Sequence, residues 1–409
     1  MSVEKKIPEI RFDGFSGDWK QKTMSEYSSK IGDGLHGTPK YTKNTGIYFI
    51  NGNNLTDGSI CITDETKEVS REDQSKDDIS LSSNTILLSI NGTIGNLAKY
   101  QGQSIMLGKS VAFISLENGD IDYMYTYLKT DRIQKYFLNS LTGSTIKNLG
   151  LKAIRESIVL APEKLNEQSK IGNYFQKLDS LISQHQQKHD KLSHLKKAML
   201  EKMFPKQGEA VPEIRFKGFN GEWEEKELGT DVADIIGGGT PSTSISEFWN
   251  GDIDWYSPTE IGDNVYAEGS QKKITALGLK SSSAKILPAG RTVLFTSRAG
   301  IGDMAILSRS GATNQGFQSF VVKEGFSPYF IYSIGKQIKE FALKHASGST
   351  FLEISGKKLG RMEILIPCEK EQAAIGNYFQ KLDTLINQHQ QQITKLTNIK
   401  QACLSKMFV

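Results

Sequence analysis

The sequence predicts an α+β protein made of two copies of one unit, each a mixed globular domain followed by a long helix. Two observations predict this class: an internal duplication, and a heptad pattern of apolar residues at the end of each copy. The chain has 409 residues and a formal net charge of +4, so it is long enough to bury a core without disulfides or metals. We expect the two helices to pair as an antiparallel coiled coil around an internal pseudo-two-fold axis.

The duplication is defined by two pairs of identical segments. The letters PEIRF begin at Pro8 and at Pro212, and IGNYFQKLD begins at Ile171 and at Ile375. In each pair, the second segment begins 204 residues after the first (212 less 8, and 375 less 171). Between them the copies share only short landmarks, such as Gly-Thr-Pro at 37–39 and 239–241 and Gly-Ser-Thr at 143–145 and 348–350. The ends of the two copies are nearly the same, and the segments between them differ. This pattern favours one scaffold that carries two different surfaces, although sequence drift after duplication is an alternative.

Each globular part is rich in Gly, Ser, Thr and Asn, and its short apolar runs are typical of strands. Such runs are found at residues 47–50, 86–88, 111–114 and 293–295, and Asn-Gly turns bound several of them. Short helices are expected over residues 123–138 and 328–344. We therefore divide the chain into a domain at 1–162, a helix at 163–206, a domain at 207–367 and a helix at 368–409.

The helical segments contain almost no Gly or Pro, and their apolar residues recur at heptad spacing, which is typical of a coiled coil. Two equivalent copies related by a two-fold axis would place the helices antiparallel. His185 and His389 lie near the helix midpoints, where a polar layer would fix the register. The predicted seam consists of Ile171, Tyr174, Leu178, Leu181, His185, Leu192, Leu195 and Met199, and of Ile375, Tyr378, Leu382, Leu385, His389, Leu396 and Ile399.

Motifs that would indicate catalysis are incomplete. The GxGxxG letters at 32–37 are followed by Thr-Pro-Lys, and Gln103 stands where a P-loop ending at Ser110 needs its first glycine. His185 and His189 share a helix face, but no Cys or carboxylate completes a metal set there. We find no Ser-His-Asp or Cys-His set, and no Asp/Asn-Pro-Pro-aromatic motif of the kind that amino-methylating DNA enzymes need. The sequence therefore predicts no catalytic residue and no metal site.

Location and partners are only weakly constrained by composition. No apolar run is long enough to span a membrane, the N-terminus lacks a signal-peptide pattern, and the three cysteines are widely spaced. We expect a cytoplasmic protein with no membrane partner. The helix at 163–206 carries nine lysines against five acidic residues, which suits either a polyanion or a solvated helix face.

Loops of the globular parts contain the side chains that proteins use to bind DNA. Arg, Asn and Gln can form bidentate contacts with bases, and Ser, Thr and Lys bind phosphates, although an Asn in a turn is often only a turn residue. The candidate DNA-binding residues are Thr38, Lys40, Tyr41, Asn51, Asn53, Asn54, Asn91, Thr93, Lys109, Lys147, Thr240, Ser257, Thr259, Ser297, Arg298, Asn314, Gln315, Ser349 and Thr350.

The whole sequence resembles the specificity subunit of type I restriction–modification systems. The resemblance rests on the pattern PEIRF-x-GF-x-G-x-W at 8–19 and 212–223, the two IGNYFQKLD helices, the Gly-Thr-Pro landmarks and the tandem layout. It implies that each globular part is a target recognition domain reading one half of a bipartite site in double-stranded DNA. It also implies that the helices set the spacer between half-sites and dock two modification (methyltransferase) subunits.

The resemblance further implies that this chain holds no cofactor. S-adenosylmethionine, ATP and Mg²⁺ would belong to partner subunits, which methylate adenine N6 or, as translocase and nuclease, restrict DNA. Two other functions stay open on the sequence alone. One is a stand-alone methyltransferase or nuclease, and the other is a structural adaptor that holds two proteins apart.

Overall fold

The structure is a computed structural model that describes residues 6–56, 58–145, 147–262, 264–298, 300–348 and 352–409. It contains two compact units: Met1–His185 together with Gln392–Val409, and Gln186–Gln391. Each unit combines one globular domain with parts of both long helices. No helix in the described part of the chain is long and apolar enough to cross a membrane. The predicted α+β class, with two globular domains and two long helices, is confirmed.

Domain 1, the globular part of the first unit, is built on a four-stranded antiparallel sheet. Its strands are β1 Lys20–Thr23, β2 Ser28–Asp33, β3 Tyr48–Ile50, β4 Leu55–Thr56, β5 Ser59–Ile60, β6 Thr85–Ser89, β7 Leu97–Lys99, β8 Ile105–Leu107, β9 Val111–Leu116, β10 Leu141–Thr142, β11 Asn148–Leu149 and β12 Ile158–Ala161. The sheet order is β2-β9-β6-β7, and β3 pairs in parallel with β8. Its helices are α1 Met24–Tyr27, α2 Lys76–Ser80, α3 Ile121–Tyr127, α4 Asp131–Asn139 and α5 Leu151–Glu156, and the long helix α6 Leu165–Lys202 follows.

Domain 2, the globular part of the second unit, repeats this plan with an extra edge strand. Its strands are β13 Glu224–Glu227, β14 Ala233–Gly237, β15 Trp249–Tyr256, β16 Tyr266–Ala267, β17 Lys272–Ile274, β18 Thr292–Phe295, β19 Met304–Leu307, β20 Gly311–Thr313, β21 Gln318–Val322 and β22 Glu363–Ile366. The sheet order is β14-β21-β18-β19-β16, and β15 pairs in parallel with β20. Its helices are α7 Ala276–Lys280, α8 Pro328–Ser333, α9 Gly335–His345 and α10 Gly356–Gly360, followed by the long helix α11 Glu369–Lys406.

The central strand of each sheet is buried on both faces, which explains its continuous apolar run. Ile86 and Leu88 of β6 join the cluster that includes α3, while Leu87 joins the cluster under β3 and β8. Successive side chains of a strand point to opposite faces, so one strand supplies both clusters. In domain 2, Val293 and Leu294 of β18 divide between two clusters in the same way.

The two long helices run antiparallel within each unit. In the first unit, the Tyr174 hydroxyl lies 3.6 Å from the Cys403 thiol, and Asp179 pairs with Lys400. In the second unit, Lys196 pairs with Asp383, and the rings of Phe204 and Phe379 stack with centroids 6.0 Å apart. Residue numbers rise along α6 as they fall along α11 in both cases. The predicted antiparallel pairing is therefore confirmed inside each unit.

One residue of the predicted seam lies at the surface. Leu195 is 39% exposed, whereas Leu192 and Met199 pack against the core of the second unit. An α-helix has 3.6 residues per turn, so Leu195 falls roughly 60° from the centre of the strip that includes Leu192, Met199 and the buried Met203.

The PEIRF segments fasten each domain to the long helices. Arg11 donates two hydrogen bonds to the Glu167 carboxylate, at 2.6 and 2.8 Å, and Arg215 donates two to Glu371, both at 2.7 Å. The Ile10 N–H also donates to the carbonyl of Lys406, at the last residue of α11. This explains why these letters recur: each copy forms a bidentate ion pair at the beginning of one helix and satisfies a carbonyl at the end of one.

An aromatic side chain from the end of a long helix completes the core of each domain. Phe408 packs against Trp19, Tyr123 and Phe175, with ring centroids between 5.4 and 6.2 Å apart. In the second unit, Phe204 occupies the corresponding place against Trp223, Phe330 and Phe379, as part of one buried cluster. Each domain is therefore joined to its helices by a shared hydrophobic core.

Candidate nucleic-acid interface

The ends of several strands meet at one edge of the domain 1 sheet, together with most of the candidate DNA-binding residues of that domain. Three loops converge there, namely residues 51–54 after β3, 90–96 after β6 and 108–110 between β8 and β9. The beginning of β11 joins them. Four backbone hydrogen bonds connect these segments: Leu35 N–H to Leu107 O at 2.8 Å, Gly108 N–H to Ile50 O at 2.8 Å, Ile90 N–H to Ser110 O at 2.9 Å and Leu149 N–H to Ile90 O at 3.0 Å.

Domain 2 has an edge with the same framework. The four corresponding hydrogen bonds are Gly239 N–H to Thr313 O at 2.9 Å, Asn314 N–H to Tyr256 O at 3.0 Å, Ser297 N–H to Gly316 O at 2.7 Å and Ile354 N–H to Ser297 O at 3.1 Å. The last three of these bonds identify equivalent residues without a sequence alignment. We call the two regions the loop edges of domain 1 and domain 2.

The first loop of each edge is a capped 3₁₀ turn. In domain 1, the Asn51 N–H donates to Asn54 Oδ1 at 2.9 Å, around the turn Gly52–Asn54. In domain 2, the Ser257 N–H donates to Glu260 Oε1 at 3.0 Å, around Pro258–Glu260. Asn51, Asn54 and Ser257 therefore hold their own loops in place through capping boxes.

Beside the domain 1 turn lies a small polar cavity of about 240 Å³. It brings together four candidates, Tyr41, Asn51, Asn53 and Asn54, with Thr63, Glu65, Thr66, Lys67 and Phe49. The adjoining loop is held by Glu68, whose carboxylate accepts from the N–H groups of Thr45 and Gly46 at 2.6 and 2.9 Å. Those hydrogen bonds, chiefly the one from Gly46, lower the pKa of Glu68.

In domain 2, the second and third loops arrange their own candidates. The Asn314 side chain accepts from Gly316 N–H at 2.8 Å, so it shapes the turn between β20 and β21. Thr240 donates to the side-chain oxygen of Gln315. The hydroxyl groups of Ser257 and Thr259 lie 3.1 Å apart. The candidates are thus close together, although several of their polar atoms already have partners.

Ser297 corrects the candidate set. It is fully buried, and its hydroxyl has no hydrogen-bond partner among the described residues. The matching hydrogen bonds show that Ser297 stands where domain 1 has the buried Ile90, so its side chain points into the core and not toward a ligand. Ser349 and Thr350 lie outside the described residues.

The remaining candidates are exposed or half-buried. Thr38, Lys40, Asn53, Thr93, Lys109 and Lys147 are exposed in domain 1, and Thr240, Thr259 and Gln315 are exposed in domain 2. Asn91 and Arg298 are half-buried. The exposed lysines suit phosphate contacts, and the amides and the guanidinium suit base edges.

A family model described as "Type I restriction modification DNA specificity domain" matches this chain twice, over residues 18–194 and 220–398. The chain belongs to this family. Each match extends from a globular domain into the long helix that follows it. The repeat of the specificity domain is therefore the duplication seen in the sequence.

Related specificity subunits are found in Methanocaldococcus jannaschii. The type I restriction enzyme MjaIX specificity subunit is 34% identical over 192 residues, which are 46% of this chain and 44% of that protein. The match thus spans less than half the length of that relative. The putative MjaX specificity subunit is 25% identical over 389 residues, which are 90% of this chain and 88% of that protein.

A solved structure shares the fold of this specificity-domain chain. The crystal structure of the type I restriction–modification S subunit from M. genitalium covers 98% of this chain and 99% of its own, with a TM-score of 0.59 at 17% identity.

In the described part of the present chain, no group of three or more His, Cys, Asp or Glu residues could hold a metal ion.

Two residues of the loop edges were missed at the sequence level. Asn148 pairs across an antiparallel bridge with Asn91, and Glu353 pairs in the same way with Arg298. Both follow a Gly-Ser-Thr landmark at the same distance, and aligning the copies on that landmark would have identified them as counterparts. Their contact with the second loop depends on strand pairing, which the sequence pattern does not reveal.

Proposed function

We propose that this chain is the non-catalytic DNA sequence-recognition subunit of a type I restriction–modification complex. Each domain reads one half of a bipartite, asymmetric site in double-stranded DNA through its loop edge. The observation that carries the proposal is that the two edges share one hydrogen-bonded framework but present different side chains. Two equivalent readers with different surfaces suit two half-sites of different sequence.

The long helices set the spacer between half-sites and dock two modification subunits. Their bidentate ion pairs and shared aromatic cores fix each domain on the helices, and this supports a rigid spacer. The modification subunits supply S-adenosylmethionine for adenine methylation, and the restriction subunits supply ATP- and Mg²⁺-dependent cleavage. Since a base must leave the duplex to be methylated, the partner would provide the pocket that receives it.

The charge of the chain is consistent with a shared DNA interface. A net charge of +4 on 409 residues is small for a protein that holds DNA alone. Partner subunits would neutralise the remaining phosphates. The isolated chain should therefore bind duplex DNA weakly, with an affinity that falls steeply as salt rises.

The test is methylome sequencing of a host that expresses this chain with its modification subunits. We expect one bipartite motif with a methylated adenine in each half. Replacing residues 18–160 with another variable domain should change one half of the motif and leave the other unchanged. If both halves change, or neither does, modular reading is wrong. A complex that assembles but prefers no sequence would instead support an adaptor.

A further inference from the structure

One position of the two loop edges differs in a way that points to different bases. In domain 1, Asn91 faces Asn148 across an isolated antiparallel bridge, and in domain 2, Arg298 faces Glu353. The preceding hydrogen bonds, Leu149 N–H to Ile90 O and Ile354 N–H to Ser297 O, are equivalent, so the two pairs occupy the same place. We call them the bridge pairs.

The bridge pairs point away from the core. Ile90 and Ser297, directly before Asn91 and Arg298, are buried. Leu149 and Ile354, directly after Asn148 and Glu353, are also buried. Because neighbouring residues of an extended segment project to opposite sides, the members of each bridge pair project to the outer side, next to each other. All four are half-buried, and this position suits side chains that are held in place yet reach a ligand.

The two bridge pairs differ at both positions, and in each pair the two side chains suit each other chemically. An amide can bind adenine N6 and N7 together, whereas a guanidinium can bind guanine O6 and N7. The partner across the bridge changes too, from an amide to a carboxylate, and a carboxylate is the group that orients a guanidinium fork. In domain 1, Asn148 Oδ1 is buried and has no hydrogen-bond partner among the described residues, so it is available to orient the Asn91 amide.

We propose that the bridge pair determines one base pair in each half-site. Asn91 reads adenine in the half-site of domain 1, and Arg298 reads guanine in the half-site of domain 2. Asn148 and Glu353 are positioning residues that hold the reading side chain. This inference rests on the proposed function and adds to it the identity of one base in each half.

The test exchanges the bridge pairs in the full chain, expressed with its modification subunits, and takes methylated host DNA as the readout. With Arg298→Asn and Glu353→Asn together, one G·C position of the domain 2 half-site should become A·T. Methylation of the original site should fall relative to the altered site by about tenfold or more, the usual discrimination of a bidentate contact. The other half-site should not change. The reverse exchange, Asn91→Arg with Asn148→Glu, should alter the domain 1 half-site alone.

A conservative variant tests the inference if an exchanged pair does not fold. Arg298→Lys keeps the charge but lacks the planar fork, so it should relax the preference for G at the same position. Glu353→Gln should relax it less, because it weakens only the orientation of Arg298. Arg309→Asn is the matched control. Arg309 is exposed beyond the end of β19, at the opposite end of the sheet from Arg298, so the motif should stay unchanged.

The outcomes separate the two levels of the proposal. A bipartite wild-type motif that the exchanged pairs and Arg298→Lys leave unchanged would overturn the inference and leave the proposed function intact. A wild-type complex that methylates no bipartite motif would overturn both. Loss of methylation at every site, with an unchanged melting temperature, would show that the bridge pair supports the whole edge and does not select a base.

Discussion

The carboxylate of Glu371 is buried to a side-chain exposure of 0%, and Arg215 neutralises it. The guanidinium donates both of its bonds at 2.7 Å, and the hydrogen bond to Glu371 raises the pKa of Arg215. Because charge removed from water needs a partner, this ion pair matters chiefly through what happens when one member is lost. The equivalent pair in the first unit, Arg11 and Glu167, has the same geometry.

We expect Arg215→Met to lower the free energy of unfolding by about 3–5 kcal/mol, because it leaves the Glu371 carboxylate buried and unpaired. Lys202→Met is the matched control, since Lys202 pairs with Glu213 at a site where both side chains are nearly half exposed. That change should cost at most about 1 kcal/mol. Urea unfolding of the purified chain measures both. Equal effects would mean that the bidentate pair is no more important than a surface contact.

Two tyrosines, the buried Tyr256 and the half-buried Tyr332, make the second unit sensitive to high pH. Burial raises the pKa of Tyr256 and of Tyr332 to about 12, whereas an unfolded tyrosine ionises near 10. A raised pKa stabilises the fold below the unfolded value, and this stability is lost as pH rises through the folded value. Stability should therefore fall between about pH 10 and pH 12, where the unfolded chain ionises first.

The measurement is the urea midpoint at pH 9 and at pH 11. It should fall at the higher pH, and Tyr256→Phe combined with Tyr332→Phe should reduce that fall. Tyr41→Phe, which removes the hydroxyl from a side chain that is 49% exposed, is the matched control. A double variant with the full wild-type loss would exclude these two phenols as the cause.

At the scale of elements, the helix pair shows what a heptad pattern can and cannot predict. The pattern predicts two 38-residue helices well, because Pro is absent, each helix has a single Gly, and apolar residues recur along their length. It does not predict that burial is concentrated at the helix beginnings, where Ile171, Phe175 and Leu178 are buried against domain 1. Near the midpoints, by contrast, Leu181 and His185 are only half-buried.

The polar layer of His185 and His389 stays a prediction. Both side chains are half-buried near the middle of their helices. If they fix the register, replacing both with Leu should raise the melting temperature, because polar seam positions reduce coiled-coil stability. The same variant should methylate sites with more than one spacer length. A lower melting temperature, or an unchanged single spacer, would count against the role of this layer.

At the scale of the whole molecule, the repeat made most of the fold predictable. Two identical anchors at one offset imply two equivalent domains and two equivalent helices, and the structure contains them. The predicted helix over residues 123–138 is in fact two, α3 and α4, with Thr130 as the N-cap of the second. The helix predicted over 328–344 is also two, α8 and α9, with Ile334 between them.

The candidate site was less predictable, for physical reasons. Asn51 and Asn54 have the composition of a binding loop, but their side chains are used to cap a 3₁₀ turn. Serine is usually a surface residue, but the backbone pairing of Ser297 directs its side chain into the core. Asn148 and Glu353 become relevant only through bridges to residues more than 50 positions earlier in the chain. Pairing between residues so far apart in the chain cannot be predicted from the local sequence.

The aromatic residue that completes each domain also determines when that domain can finish folding. Phe204 is synthesised ahead of most of the second unit, which is one continuous stretch of chain, Gln186–Gln391. The first unit is made of two separate stretches of chain. Its core is complete only after Phe408 and the rest of Gln392–Val409 have been synthesised. On the ribosome, domain 1 would emerge first with Trp19, Tyr123 and Phe175 still uncovered. The domain made first is therefore the one completed last, and in the interval its exposed apolar surface is prone to aggregation.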